Sequence, residues 1–189
     1  MIETSTIIEA IYYLLKKLER ADKIKLVKLI YLADKYHLIR YGRTITNDDY
    51  YAMEHGPVGA TVKDVLSFDH FNIPAKTFKY LSTLINKDDK NHFSVNQDVK
   101  ITYDMLSDTD KEALDFVIEK FGKMGQWKLR DYTHKYPEWY QYKDLFENKL
   151  TRRERIETKE LLSTLKDDPL SMPRTHVKES EKILTGKFD

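Results

Sequence analysis

The 189-residue sequence contains no cysteine, so it forms no disulfide and offers no thiolate to a metal or a redox couple. That absence fits a reducing compartment. No apolar run reaches the roughly 18–20 residues that a membrane span requires. The start, Met1-Ile2-Glu3-Thr4, has no basic region ahead of an apolar stretch, and a soluble, cytoplasmic protein is the expectation. Neither sign of charge dominates: 32 lysines and arginines face 31 aspartates and glutamates, so no global field draws the chain to nucleic acid or acidic membranes. No internal repeat or low-complexity tract is evident.

What is present describes a globular chain. Hydrophobic residues make up 41% and charged residues 33%, a charge excess that suits amphipathic helices with solvated faces. Ile7, Ile8, Ile11, Leu14, Leu15 and Leu18 recur at helical spacing and predict a helix over 5–19. Between Asp22 and Tyr41 the pattern is apolar around nearly the whole circumference, interrupted by Lys25 and Lys28, which predicts a central core helix closed by Gly42. Asn47 or Asp48 is a candidate cap for a short helix through Tyr50 and Met53. Pro57 suits the first turn of a further helix at 57–68.

Alternation in Thr77–Tyr80 and Val99–Tyr103, around a polar Asn86–Asn91 turn, predicts a small antiparallel sheet within 77–103. Ser107 is placed to cap a helix whose buried stripe is Leu114, Val117, Ile118 and Phe121, ended by Gly122 or Gly125. A short helix over 126–135 follows. Thr151-x-x-Glu154 reads as a capping box opening a helix with a thin apolar seam, then a linker from Lys166 to Arg174 and a last short helix. The fold class is mainly α with a small antiparallel sheet. The expected division is a helical domain over 1–148 and a C-terminal extension over 149–189 that packs loosely or orders on a partner.

Signatures of catalysis are scarce. No His-x-x-x-His or His-Glu-x-x-His occurs, and no Gly-x-Ser-x-Gly elbow, Walker lysine or Gly-x-Gly-x-x-Gly is present. The remaining hydrolase candidates pair His134 with Asp131 or His55 with Glu54, on sequence proximity alone. No metal or cofactor is expected. Lys16, Lys17 and Arg20, the Lys23/Lys25/Lys28 group, and Arg152, Arg153 and Arg155 are the basic clusters that a nucleic-acid-binding regulator would use, each diluted by neighbouring acids. Tyrosines and tryptophans crowd the less regular stretches, and such side chains supply binding hot spots. Protein binding fits these positives best, with Tyr51, Met53, His55, Trp139 and Tyr140 as candidate partner-facing residues.

Three stretches in order resemble the Panacea domain family, the SocA-like antitoxins of bacterial and phage toxin–antitoxin systems. Lys25-Leu26-Val27-Lys28-Leu29-Ile30-Tyr31-Leu32-Ala33-Asp34 is similar to that family's Lys-Leu-x-Lys-Leu-x-Tyr-x-x-Asp helix. Ala52-Met53-Glu54-His55-Gly56-Pro57-Val58 is similar to its Ala-x-x-x-Gly-Pro-Val element. Leu106-Ser107 through Leu129, Thr133-His134 and Trp139 is similar to its closing block. The resemblance implies a protein without enzymatic activity that neutralises a cognate toxin by direct contact or as a proteolytic adaptor, with a protease or chaperone as a further partner. It marks Lys28, Tyr31, Asp34, Gly56, Pro57, Val58, Thr133 and His134 as the residues of the structural motif.

Overall fold

The computed structural model describes residues 4–187. Helix α1 (Thr4–Leu18) runs into strand β1 (Arg20–Asp22) and helix α2 (Lys23–Tyr41). A loop leads to strands β2 (Tyr50–Met53) and β3 (Gly56–Gly59), helices α3 (Ala60–Val65) and α4 (Ala75–Leu84), and strands β4 (Ile85–Lys87) and β5 (His92–Val95). Helices α5 (Asp108–Phe121), α6 (Gln126–Thr133), α7 (Pro137–Tyr140) and α8 (Lys143–Glu147) follow. The chain ends with strand β6 (Arg153–Ile156), a 3₁₀ turn at Thr158–Leu162 and helix α9 (Arg174–Thr185). The architecture is mainly α with two three-stranded antiparallel sheets, ordered β1-β5-β4 and β3-β2-β6.

Helix α2 is the axis of the fold. Every residue from Leu26 to Ile39 is buried, because α1, α5, α6, α9 and β3 all pack around it. The Asp22 carboxylate accepts from the Lys25 amide at 2.9 Å and caps its start, satisfying one of the amides that a first turn leaves without a partner. Gly42, at φ +71, ends it in the left-handed conformation that glycine adopts without a side-chain clash. Ser107 caps α5, and a reciprocal bond from the Ser107 amide to Asp110 completes a capping box.

The predicted α1, α2, α5 and α6 are found within a few residues of their expected ends. Three local readings are corrected. Asn47 and Asp48 cap no helix over 49–53: Tyr50–Met53 is a strand, paired with Gly56–Gly59. Pro57 lies in that second strand, at a sheet edge where its missing amide hydrogen breaks no ladder, and the helix starts three residues later. Thr77–Tyr80 belongs to α4 and Val99–Tyr103 forms no strand, so the expected sheet contracts to the β4–β5 hairpin, which β1 joins.

Thr151-x-x-Glu154 opens no helix either. Arg153–Ile156 is a strand antiparallel to β2, in the register Tyr50↔Ile156 and Met53↔Arg153. Ile156, Leu161 and Leu170 are buried, and α9 lies against α2, where Ser180 Oγ donates to the Ile39 carbonyl at 2.7 Å. Residues 153–185 thus contribute to the same core, in place of the loosely packed helix expected.

Candidate protein-binding site

The motif stretches meet around the β2–β3 hairpin. Its tip, Glu54-His55, is solvent-exposed, and Gly56 leaves it at φ +99, a region closed to most residues that carry a Cβ. The approach is close as well: a methyl group on Gly56 would sit 2.8 Å from Lys28 Nζ and 3.0 Å from the His134 ring. Lys28, 2% exposed, donates to the Pro57 carbonyl at 2.7 Å. Among the described residues no carboxylate reaches it, and burial pulls its amine down to about 7.

The hairpin is held from its other side by aromatics. Trp139 donates its indole N–H to the Met53 carbonyl at 2.8 Å and stacks on His134 with ring centroids 3.5 Å apart and planes 11° apart. Phe146 extends the stack at 5.9 Å and 15°. Burial, then the positive charges of Lys28 and Arg130, hold the His134 imidazole down at about 4. At neutral pH it is an uncharged packing ring, and among the described residues its buried Nε2 has no hydrogen-bond partner.

Asp34 fixes the entry to the hairpin. Its carboxylate accepts from the Ile45 and Thr46 amides at 2.8 and 3.0 Å, and from the Thr46 and Tyr50 hydroxyls at 2.6 Å each. Burial pushes it up to about 6, and these four donors oppose that rise. Asp48 fixes the exit, accepting from the Thr61 and Val62 amides at 3.0 and 2.9 Å and so capping α3 across the hairpin. A third buried pair ties the later elements to α2: Lys35 donates to Glu138 at 2.6 Å and to the Leu161 carbonyl at 2.9 Å, while Tyr31 donates to the same Glu138 oxygen. Neither side chain of that ion pair is exposed.

In front of the pinned hairpin lies a groove of about 730 Å³. Ile24 and Val27 from α2, Met53 and Val58 from the hairpin, and Phe146 from α8 give it apolar walls. Its charged lining is one-sided: Lys23, Lys28, Lys63, Lys149 and Arg152 stand against the single carboxylate of Glu54. Burial, then the neighbouring charges of Lys63 and Lys87, lower the Lys23 amine below its usual range.

The motif residues singled out in the sequence are brought together. Lys28, Tyr31, Asp34, Pro57, Val58 and Thr133 are buried; Lys28, Asp34 and His134 pack against the hairpin, while Tyr31 holds Glu138 and Thr133 bonds the Arg130 carbonyl within α6. The five expected partner-facing residues divide. His55 and Tyr140 are exposed, Tyr140 to 58%, while Tyr51 and Met53 are half-buried. Trp139 is 5% exposed with its indole nitrogen already committed, so its place is the hairpin's support. Met53 and His55 line the groove; Tyr51 and Tyr140 do not.

The acid–base pairs are not assembled. Arg130 occupies the Asp131 carboxylate at 2.6 and 2.9 Å, and His55 stands edge-on to Trp127 at 6.2 Å. Among the described residues no group of three or more His, Asp or Glu is disposed to hold a metal. Nor is any helix long and apolar enough to cross a membrane. Sequence reasoning missed the groove because Lys63 and the 146–152 stretch lie far along the chain from Lys23, Ile24 and Val27, and only the fold gathers them beside α2.

Residues 26–140 match the family model described as antitoxin SocA-like, Panacea domain. No curated protein and no solved structure matches the chain.

Proposed function

Because the chain belongs to the SocA-like antitoxin, Panacea-domain family, we propose that it is a protein-binding antitoxin that neutralises a cognate toxin by direct contact. The observation that carries this reading is the use to which the motif residues are put. Lys28, Asp34, Gly56, Pro57 and His134 face inward and hold one exposed hairpin tip rigidly beside an open groove. A preorganised surface is what a binding protein needs, since it lowers the entropic cost of association. An enzyme would need reactive groups converging on accessible space. Here the half-buried histidine packs, the buried lysine donates to a backbone carbonyl, and the acid partners proposed from sequence are engaged elsewhere or unpaired with the histidines.

Co-expression tests the proposal. The product of the gene adjacent to this one, induced alone, is expected to arrest growth. Growth returns when this chain is supplied, and the two proteins co-purify as a stable complex. A neighbour that is harmless, or a toxic neighbour that this chain neither binds nor relieves, refutes it. Delivery of the toxin to a protease is the second route the family name allows, and it is separated by following toxin level: direct neutralisation leaves the level unchanged.

A further inference from the structure

Apart from Lys28, which holds the Pro57 carbonyl, the groove beside the hairpin carries a charge pattern that the fold itself does not use. Among the described residues Lys23, Lys28, Lys149 and Arg152 have no carboxylate within ion-pair distance, and Lys63 has only the exposed neighbouring Asp64, at 3.4 Å. By contrast, Arg155, on the same sheet, is matched by Asp49 at 3.1 Å and Glu157 at 3.3 Å. The cations around the groove are thus gathered together without matching acids, whereas Arg155 beside it is matched twice. Such an arrangement raises the energy of the empty groove and is relieved by negative charge entering it.

Resting on the protein-binding reading above, we infer that this groove receives an acidic segment of the partner protein, one that places aspartate or glutamate side chains at its rim and an apolar side chain between Val27, Val58 and Phe146. The apolar walls are what separate this occupant from nucleic acid. A nucleic-acid groove offers aromatic faces to bases along a basic track, whereas among the described residues Phe146 and His55 are the only aromatic rings in this lining, beside Ile24, Val27, Met53, Val58 and Thr151. Among the described residues the balance of Glu54 against Lys23, Lys63, Lys149 and Arg152 selects by charge, and the apolar floor supplies the anchor that retains the segment. Glu54, at the hairpin tip, repels an acid placed on its side and so fixes which end of the segment faces the tip.

The test uses the full chain and a fluorescein-labelled synthetic peptide that alternates Glu-Leu-Asp-Phe, followed by fluorescence anisotropy. Its controls are the same peptide with lysine at every acidic position and a labelled oligothymidine. The acidic peptide is expected to bind, more weakly as salt rises, and the lysine peptide and the oligonucleotide are not. The double variant Lys63→Glu, Arg152→Glu changes two rim side chains outside the core. It is expected to keep its circular dichroism spectrum and to lose about tenfold or more in affinity for the acidic peptide. No binding of that peptide, or equal binding by the variant, overturns the inference, as does preferential binding of the oligonucleotide. The growth assay distinguishes the two claims. A double variant that loses the peptide yet still relieves toxicity overturns the groove as the toxin's site and leaves the antitoxin reading intact. A wild-type chain that binds the peptide but relieves no toxicity refutes the antitoxin reading alone.

Discussion

Lys28 reaches across from the central helix to the carbonyl of Pro57 at 2.7 Å, and among the described residues no acid accompanies it. A buried amine held at about 7 instead of its ordinary 10.5 couples folding to pH. Between those two values the unfolded chain binds a proton that the folded chain has released, so stability rises with pH through this window. Relative to Lys28→Met, the wild-type chain is expected to gain up to about 1.4 kcal/mol per pH unit from pH 7 to 9. Urea midpoints across that range check it, and parallel curves for the two proteins contradict it.

His134 acts in the same sense at lower pH. Its folded-state value of about 4 lies below the ordinary 6.5, so the unfolded chain takes up a proton first and stability falls as pH drops from 6.5 towards 4. His134→Gln is expected to flatten this part of the curve of melting temperature against pH. A variant that keeps the wild-type acid dependence would show that the ring is not the responsible group.

Two neighbouring substitutions in the hairpin should differ sharply. Gly56→Ala forces a Cβ into a left-handed position and against Lys28 and His134, and is expected to cost about 2 kcal/mol or more. Pro57→Ala keeps the carbonyl that Lys28 uses and changes mainly the stiffness of the unfolded chain, costing about 1 kcal/mol or less. Equilibrium denaturation of both proteins decides this, and equal losses would refute the close packing behind Gly56.

These residues also mark how far the sequence could be read. The helices α1, α2, α5 and α6 were legible because their apolar residues recur at helical spacing and their caps lie next to them in sequence. The hairpin was not. Each of its strands is four residues long, its Gly-Pro pair has an equally good local meaning as a helix start, and β6 comes from a hundred residues further on. Thr151-x-x-Glu154 failed for the same reason, since a capping box and a short strand look alike until the partner strand is known. Lys28 read as a polar interruption in a core helix, and Lys35 was not singled out. They are buried because their acceptors, the Pro57 carbonyl and Glu138, arrive from distant parts of the chain.

The Lys35–Glu138 pair supplies a further prediction. Glu138→Ala leaves a buried ammonium without its counter-charge and is expected to cost about 3–5 kcal/mol. The double change Lys35→Met, Glu138→Leu removes both charges, and much of the loss should return. A double-mutant cycle by thermal denaturation measures the coupling, and additive effects would contradict the pairing.

Asp34 organises four donors at the hairpin's entry. Asp34→Ala leaves them unsatisfied and is expected to cost about 3 kcal/mol. Hydrogen exchange should speed up first in the 44–50 loop and in β2, and loss of protection confined to other elements would contradict this role.

That this fold holds a rigid surface for a toxin is tested most directly by isothermal calorimetry of the purified chain with the product of its adjacent toxic gene. Saturable binding is expected, weakened in the Lys63→Glu, Arg152→Glu variant in parallel with loss of growth rescue. Absence of any binding to a toxin whose effect this chain nevertheless relieves in cells would contradict it.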